Sequence, residues 1–267
     1  MPKITLYNGD CVTVMKTFPD KSVDLVITSP PYNIQNSKVS GGKDKGYHDD
    51  RDDYYEFLKT SVDQMLRITK KWVFFNIQAL SNNRKDLFRF IGNYHDRIKE
   101  VIIWNKTIFQ PAMNHSVLSS AFEFIFVMSD SDTELRKFEG VDFTVRGVSN
   151  VWTGTNNSGG RDSFNCDTHA AIMPLWIPRK ILSLFSKPGN VILDPFCGLG
   201  TTMKASIEAG LNGVGIELSE EYCSLAIERL RPLVTQRTLT GESRELIYIR
   251  DNKETLYISN KGDTNQH

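Results

Sequence analysis

Short apolar runs alternate along this chain with longer stretches in which apolar positions recur at helical spacing. Ile4 to Tyr7, Val23 to Ile27, Trp72 to Asn76, Val101 to Trp104, Phe122 to Met128, Val191 to Leu193 and Gly213 to Ile216 have the length and composition of strands. Val12 to Phe18, Tyr54 to Ile68, Leu80 to Gly92 and Met203 to Ala209 read as helices. Strands alternating with helices predict an α/β fold, a mostly parallel sheet with helices on both faces. The link Asn105 to Ala121 holds no clear helix, so the strands it joins are expected to be antiparallel.

Two stretches break the alternation. Gln35 to Arg51 is polar and charged, with Gly41, Gly42 and Gly46, and reads as a mobile loop. Residues 130–168 scatter Gly140, Gly147, Gly154, Gly159 and Gly160 among Ser, Thr and Asn. Beyond Leu230, Ile247 to Ile249 and Leu256 to Ile258 resemble a small hairpin within a C-terminal extension, 231–267.

Composition narrows the class. A chain of 267 residues with 40% hydrophobic content buries a full core, here read as one α/β domain with a smaller insertion. No run of 18 apolar residues occurs and the first ten residues do not form a signal peptide, so a cytoplasmic protein without membrane contact is expected. The four cysteines, at 11, 166, 197 and 223, lack C-x-x-C spacing, which indicates reduced thiols and no metal site. The 32 basic and 32 acidic residues cancel, yet residues 59–106 hold ten Lys or Arg against four Asp or Glu. Lys70, Lys71, Arg84, Lys85 and Arg89 are expected near an active-site face, where they would meet phosphates; a solvated helical face is the alternative.

Two motifs carry chemistry. Ser29-Pro30-Pro31-Tyr32 follows the strand Val23 to Ile27, at the strand end where open α/β sheets bind ligands. Consecutive prolines fix two φ angles and remove two donors, so nearby carbonyls face outward unclaimed. Ser29 Oγ and the Pro30 carbonyl can accept from an amino group, and Tyr32 offers a face for stacking. A strand-terminating turn with a core tyrosine is the plain alternative.

The second motif, Asp194-Pro195-Phe196-Cys197-Gly198-Leu199-Gly200-Thr201-Thr202, follows Val191 to Leu193. Glycines at 198 and 200 permit close backbone approach, and the helix behind them presents free N–H groups. Glu217 ends the next strand, about 20 residues on, where Rossmann-like units hold ribose hydroxyls. Met203 breaks the G-x-G-x-x-G fingerprint, which argues against a nicotinamide cofactor, and no G-K-[ST] ending marks an NTPase.

Thr28 to Asn33, His169-Ala170-Ala171-Ile172-Met173-Pro174, Asp194 to Thr202 and Gly215-Ile216-Glu217, taken in this order, resemble the S-adenosylmethionine-dependent DNA amino-methyltransferases. The order is that of their circularly permuted group, in which the Pro-Pro-Tyr half comes first. The resemblance spans about Leu6 to Leu230, so residues 1–230 form the expected catalytic domain. It implies a Rossmann-like class I methyltransferase fold, with a seven-stranded, mostly parallel sheet containing one antiparallel strand.

The resemblance also implies roles. Ser29, Pro30, Pro31 and Tyr32 would hold a target base flipped out of double-stranded DNA. Asp194, Phe196, Gly198, Gly200 and Thr201 or Thr202 would hold the methionine part of the cofactor, Glu217 the ribose, and Asp10 the adenosine part, with a helix N-cap as the alternative for Asp10. Residues 130–168 occupy the place of a target-recognition region, in which Arg136, Lys137, Arg146, Asn156, Asn157 and Arg161 suit groove contacts or sit on a plain surface loop. So short a region fits a short recognition sequence or help from a second subunit; a homodimer and a cognate restriction endonuclease are open as partners. His169 is given no catalytic role. Cys197 lies inside the cofactor turn, so methylation of a ring carbon is rejected. Serine at position 29 is typical of family members acting on N4 of cytosine, whereas Asp or Asn is commoner in those acting on N6 of adenine. A non-catalytic DNA-binding protein would have lost Tyr32 or the glycine turn, and both are present.

Overall fold

Leu25, Val26 and Ile27 are almost completely inaccessible to solvent, and a strand buried on both faces needs helices above and below it. The computed structural model describes residues 2–33, 51–109, 111, 115–130, 137, 138, 140, 141, 143, 147–156, 172–235, 244–251 and 253–258. Its strands are β1 (Lys3–Asn8), β2 (Val23–Thr28), β3 (Thr69–Ile77), β4 (Ile98–Lys106), β5 (Phe122–Met128), β6 (Val151–Gly154), β7 (Val191–Asp194), β8 (Asn212–Glu217), β9 (Glu245–Arg250) and β10 (Lys253–Ile258). The helices are α1 (Cys11–Lys16), α2 (Tyr54–Ile68), α3 (Arg84–Asn93), α4 (Trp176–Phe185), α5 (Thr201–Glu208) and α6 (Glu220–Thr235).

All the strands join one sheet in the order β10-β9-β1-β8-β7-β2-β3-β5-β4-β6. The central seven, β1 to β4 in that order, are the expected arrangement: β5 runs antiparallel to β3 and β4, and the other neighbours are parallel. Among the described residues the sheet nevertheless has ten strands rather than seven. On one edge β9 pairs in parallel with β1 and turns back into β10; on the other, β6 pairs in parallel with β4. β6 is only four residues long and lies in the glycine-rich stretch, so no period of two marks it; the buried indole of Trp152 anchors it.

Alternation along the strands divides the core. Val26, Val73, Phe75 and Phe126 face Tyr54, Leu58 and Met65, while Leu25, Ile27, Phe74 and Ile125 face Ile177, Ile181 and Phe185. Burial of each such side chain contributes about 1.5–3 kcal/mol. Helices α1, α2 and α3 pack in succession beside the first layer, and α4, α5 and α6 pack in succession beside the second. α4 begins at Trp176 without a side-chain cap and carries Pro178 in its first turn, where a missing N–H costs nothing. Glycine is required in β8: a Cβ at Gly215 would stand 2.5 Å from Cys197 Sγ and 2.7 Å from Leu6 Cδ2. The bare strand thereby lets the segment after β7 settle against the sheet.

Candidate active site

From β7 the chain passes through α5 to β8, and from β2 it passes through α2 to β3, in opposite directions across the sheet. β7 and β2 are neighbours, so the two connections part above their adjacent carboxyl ends and open the crevice in which α/β sheets bind ligands. The Pro-Pro-Tyr loop rises from β2 and the glycine turn from β7. A single buried carboxylate ties them together.

Asp194 Oδ1 accepts from Thr28 Oγ1 at 2.7 Å and from the Phe196 N–H at 3.1 Å, and Oδ2 accepts from Thr202 Oγ1 at 2.7 Å. Burial raises this carboxyl to about 6, against the lowering effect of the hydrogen bonds from Thr28, Thr202 and Phe196. Thr202 is fully buried, with its hydroxyl on Asp194 and a longer contact, 3.4 Å, to the Ile27 carbonyl. Thr201 Oγ1 accepts from Arg229 at 3.0 Å, and the same guanidinium nitrogen reaches the Leu199 carbonyl. Both threonines thus brace the turn from within.

Gly198 and Gly200 have φ of 50° and 76°, a left-handed backbone that favours glycine, and Gly200 caps α5. Glu217 Oε2 accepts from the Gly198 N–H at 2.9 Å, and Oε1 from the Ser219 N–H at 2.8 Å. Burial lifts the Glu217 carboxyl above the usual glutamate range, with those two N–H groups pulling the other way. Each carboxylate oxygen has two lone pairs, so acceptor capacity for a diol remains. Leu218, 68% exposed beside it, is an apolar surface that the sequence reading missed. Asp10 caps α1, its Oδ1 accepting from the Thr13 N–H and hydroxyl at 2.8 Å each. β1 lies beside β8, so Asp10 and Glu217 follow adjacent strand ends. Phe196 packs toward Phe57 of α2, with ring centroids 5.6 Å apart.

In the other half, Tyr54 Oη donates to the Pro31 carbonyl at 2.7 Å and Asn83 Nδ2 donates to the Tyr32 carbonyl at 2.9 Å. Among the described residues no donor reaches the Pro30 carbonyl. Asn33, at φ 57°, closes the loop by accepting from the Arg51 N–H. Ser29 Oγ lies 2.9 Å from Tyr32 Oη, which donates to Glu123 Oε2 at 2.8 Å. Glu123 pairs with Lys106 at 2.6 Å, and both side chains are buried. Glu123 and Lys106 do not stand out in the sequence. Their only signal is a charged residue near the end of a strand with an apolar centre.

Several expected residues fall elsewhere. Lys70 and Lys71 start β3, at the opposite end of the sheet from the Pro-Pro-Tyr loop, and Lys70 pairs with Asp24 there. Their expected place on the active-site face is therefore corrected, because parallel strands put their amino ends on the far side. Arg84, Lys85 and Arg89 lie on α3, whose preceding Asn83 touches the loop. Lys137 and Asn156 are exposed. Arg136, Arg146, Asn157, Arg161, His169 and the Gln35 to Arg51 loop up to 50 lie outside the described residues. Cys11, Cys197 and Cys223 are free and buried, and burial pushes the Cys197 thiol well above its usual range, which leaves it protonated. Among the described residues no cluster of His, Cys, Asp or Glu could hold a metal ion, and no helix is long and apolar enough to cross a membrane.

Known proteins show the same architecture. The chain is 27% identical to the type II methyltransferase M.HinfI of Haemophilus influenzae over 86% of this chain and 68% of that one. It is 28% identical to the putative methylase YubD of Escherichia coli K12, over 83% and 88%. Among solved structures, the cytosine-N4-specific PvuII DNA methyltransferase superposes with a TM-score of 0.66 at 19% identity, covering 91% of this chain and 96% of that one. The putative DNA modification methylase TTHA0409 of Thermus thermophilus, complexed with S-adenosyl-L-methionine, gives 0.60 at 22% identity, covering 91% and 98%. A family model described as DNA methylase, of the N6 and N4 type, matches residues 23–228, a span that runs from β2 through the glycine turn into α6. On that match, this chain belongs to the N6/N4 DNA methylase family.

Proposed function

We propose that this protein transfers a methyl group from S-adenosylmethionine to an exocyclic amino group of a base flipped out of double-stranded DNA, N4 of cytosine being favoured. The observation that carries the reading is the Thr28 to Asp194 hydrogen bond, which holds the Pro-Pro-Tyr loop and the glycine turn on one crevice. Serine at position 29 and the cytosine-N4 specificity named for the PvuII enzyme support cytosine. The M.HinfI relative supports a place in a restriction-modification system.

The residues around the crevice have the chemistry that the cofactor needs. Glu217 would hold the ribose, with Leu218 beside the adenine, Asp10 nearby, and Phe196 to Gly200 along the methionine part. Asp194, Thr201 and Thr202 would act by fixing the turn. When bound, S-adenosylmethionine supplies an electrophilic methyl group. The amino nitrogen is a weak nucleophile because its lone pair is delocalised into the ring, so positioning does most of the work. Ser29 Oγ and the Pro30 carbonyl would accept its two N–H bonds, favour a pyramidal nitrogen and stabilise the positive charge that develops. Tyr32 would stack on the base, which must leave the duplex to enter. The product nitrogen then sheds a proton to water.

Residues 1–230 would form the catalytic domain, with target recognition in 130–168 through Arg136, Lys137, Arg146, Asn156, Asn157 and Arg161. The test is incubation of the purified protein with S-adenosylmethionine and mixed-sequence DNA, followed by digestion and mass spectrometry of the nucleosides. N4-methylcytosine is expected. N6-methyladenine would reverse the base assignment, and no methylated nucleoside would refute the activity.

A further inference from the structure

The contact between Ser29 Oγ and Tyr32 Oη, 2.9 Å long, does not by itself say which hydroxyl gives the proton. The groups behind it do. Glu123 Oε2 lies 2.8 Å from Tyr32 Oη and 2.9 Å from Asn76 Nδ2, and Oε1 lies 2.6 Å from Lys106 Nζ. A carboxylate facing an ammonium and an amide N–H has no proton to offer, so the phenol must donate to it. Burial and the Glu123 charge hold the phenol protonated, well above its ordinary range. Its one proton being spent on Glu123, Tyr32 Oη can meet Ser29 only as an acceptor. Ser29 therefore gives its own proton to Tyr32 and keeps its lone pairs for something else. The chain of hydrogen bonds runs one way, from Ser29 through Tyr32 to Glu123.

Resting on the function proposed above, we infer that Glu123 is a positioning residue which, acting through Tyr32, sets Ser29 as a hydrogen-bond acceptor for the amino group of the target base. Lys106 supports it by keeping a negative charge in a buried place, where it would otherwise be costly. The arrangement selects what enters. A base edge presenting N–H meets lone pairs, and a carbonyl or ring nitrogen at the same point meets them too and is repelled. It also links two segments of the chain that share no local pattern: residue 123 of β5 governs residue 29 of the loop after β2.

Single-turnover methylation of DNA by the whole protein tests this, with cofactor affinity measured in parallel. Tyr32→Phe keeps the stacking ring and deletes only the relay, and Glu123→Gln keeps the shape and allows the wrong polarity. Each is expected to slow transfer roughly 10- to 100-fold, with cofactor affinity unchanged. Because both cut one chain, the double variant Tyr32→Phe, Glu123→Gln should be no slower than Tyr32→Phe alone. If Glu123→Gln does not fold because the Lys106 charge then has only the Gln78 amide oxygen facing it, Lys106→Met with Glu123→Gln replaces it and carries the same expectation. A wild-type rate in Tyr32→Phe overturns the inference, and so do losses that multiply in the double variant, since those mark a structural effect. Transfer by the wild type is the reference, so its absence would refute the proposed function, whereas full transfer by Tyr32→Phe would refute the relay alone.

Discussion

Thr28 and Asp194 meet through one hydrogen bond of 2.7 Å, side chain to side chain, between strands that are neighbours in the sheet but far apart in the chain. The same carboxylate accepts from Thr202 and from the Phe196 N–H, so three donors depend on it. Asp194→Ala would leave the buried Thr28 hydroxyl and the Phe196 N–H without their acceptor, and Thr202 Oγ1 with only its longer contact to the Ile27 carbonyl. The expected cost is about 1–3 kcal/mol for each orphaned group, read as a fall in the urea midpoint at unchanged m-value.

Asp194 also makes stability depend on pH. Its folded-state carboxyl titrates at about 6, above the unfolded value of 3.8. Between those values the native state holds more protons than the unfolded chain, so the contribution is complete below the unfolded pKa and is lost as pH rises through the folded one. The shift corresponds to about 3 kcal/mol. Asp194→Asn cannot titrate. Urea melts of both proteins from pH 3.5 to 7 should show wild type losing stability relative to Asp194→Asn across that window. A constant difference would mean that the carboxyl is not perturbed.

Glu217→Ala should weaken S-adenosylmethionine binding while leaving the fold in place. The two N–H groups it accepts, from Gly198 and Ser219, border the crevice, where water can replace the lost oxygen atoms. Loss of the proposed charge-assisted bonds to two ribose hydroxyls would correspond to roughly 10- to 100-fold in affinity. Titration calorimetry with unchanged affinity would remove Glu217 from the site.

Gly215→Ala tests the packing beneath the turn rather than its chemistry. The added methyl would sit 2.5 Å from Cys197 Sγ and 2.7 Å from Leu6 Cδ2, both buried and neither at the end of a long flexible chain. Overpacking of this kind costs about 1–3 kcal/mol. A thermal midpoint equal to wild type would show that the turn can lift away from β8.

Ser29 to Tyr32 and Asp194 to Gly200 are each contiguous, and their character comes from proline and glycine, which constrain or free the backbone wherever they stand; both were therefore legible in the sequence. The strands β2, β3, β5 and β8 were legible because their apolar runs are bounded by turn residues. Glu123 and Lys106 were not, since one charged residue in an apolar strand has meaning only once its partner is known, and that partner is supplied by strand pairing. The helix α4 was overlooked because Pro174 and Pro178 interrupt its start, although a proline in the first turn is harmless. The three edge strands were missed or left without a place because edge pairing is decided by what the rest of the sheet leaves open.

The basic excess of residues 59–106 was legible as a count, and its meaning changes once the partners are seen. Arg67 pairs with Asp20, Lys70 with Asp24, Arg97 with Asp130 and Lys106 with Glu123, all four acids lying outside the segment or paired across the sheet. Much of the excess is therefore neutralised within the protein. Arg84 and Lys85 are placed differently. They are exposed in the first turn of α3, directly after Asn83, whose amide grips the Tyr32 carbonyl, so they stand beside the proposed base-binding loop. Lys71, near the amino end of β3, lies at the opposite end of the sheet from that loop. Removing one cation that neutralises a phosphate should reduce the slope of log affinity against log salt by about 0.9. Arg84→Ala and Lys85→Ala should each flatten that slope on non-specific duplex DNA by about that amount, and Lys71→Ala should leave it unchanged. Fluorescence anisotropy across a salt series would decide, and a Lys71 effect equal to that of Arg84 would place the DNA at the wrong end of the sheet.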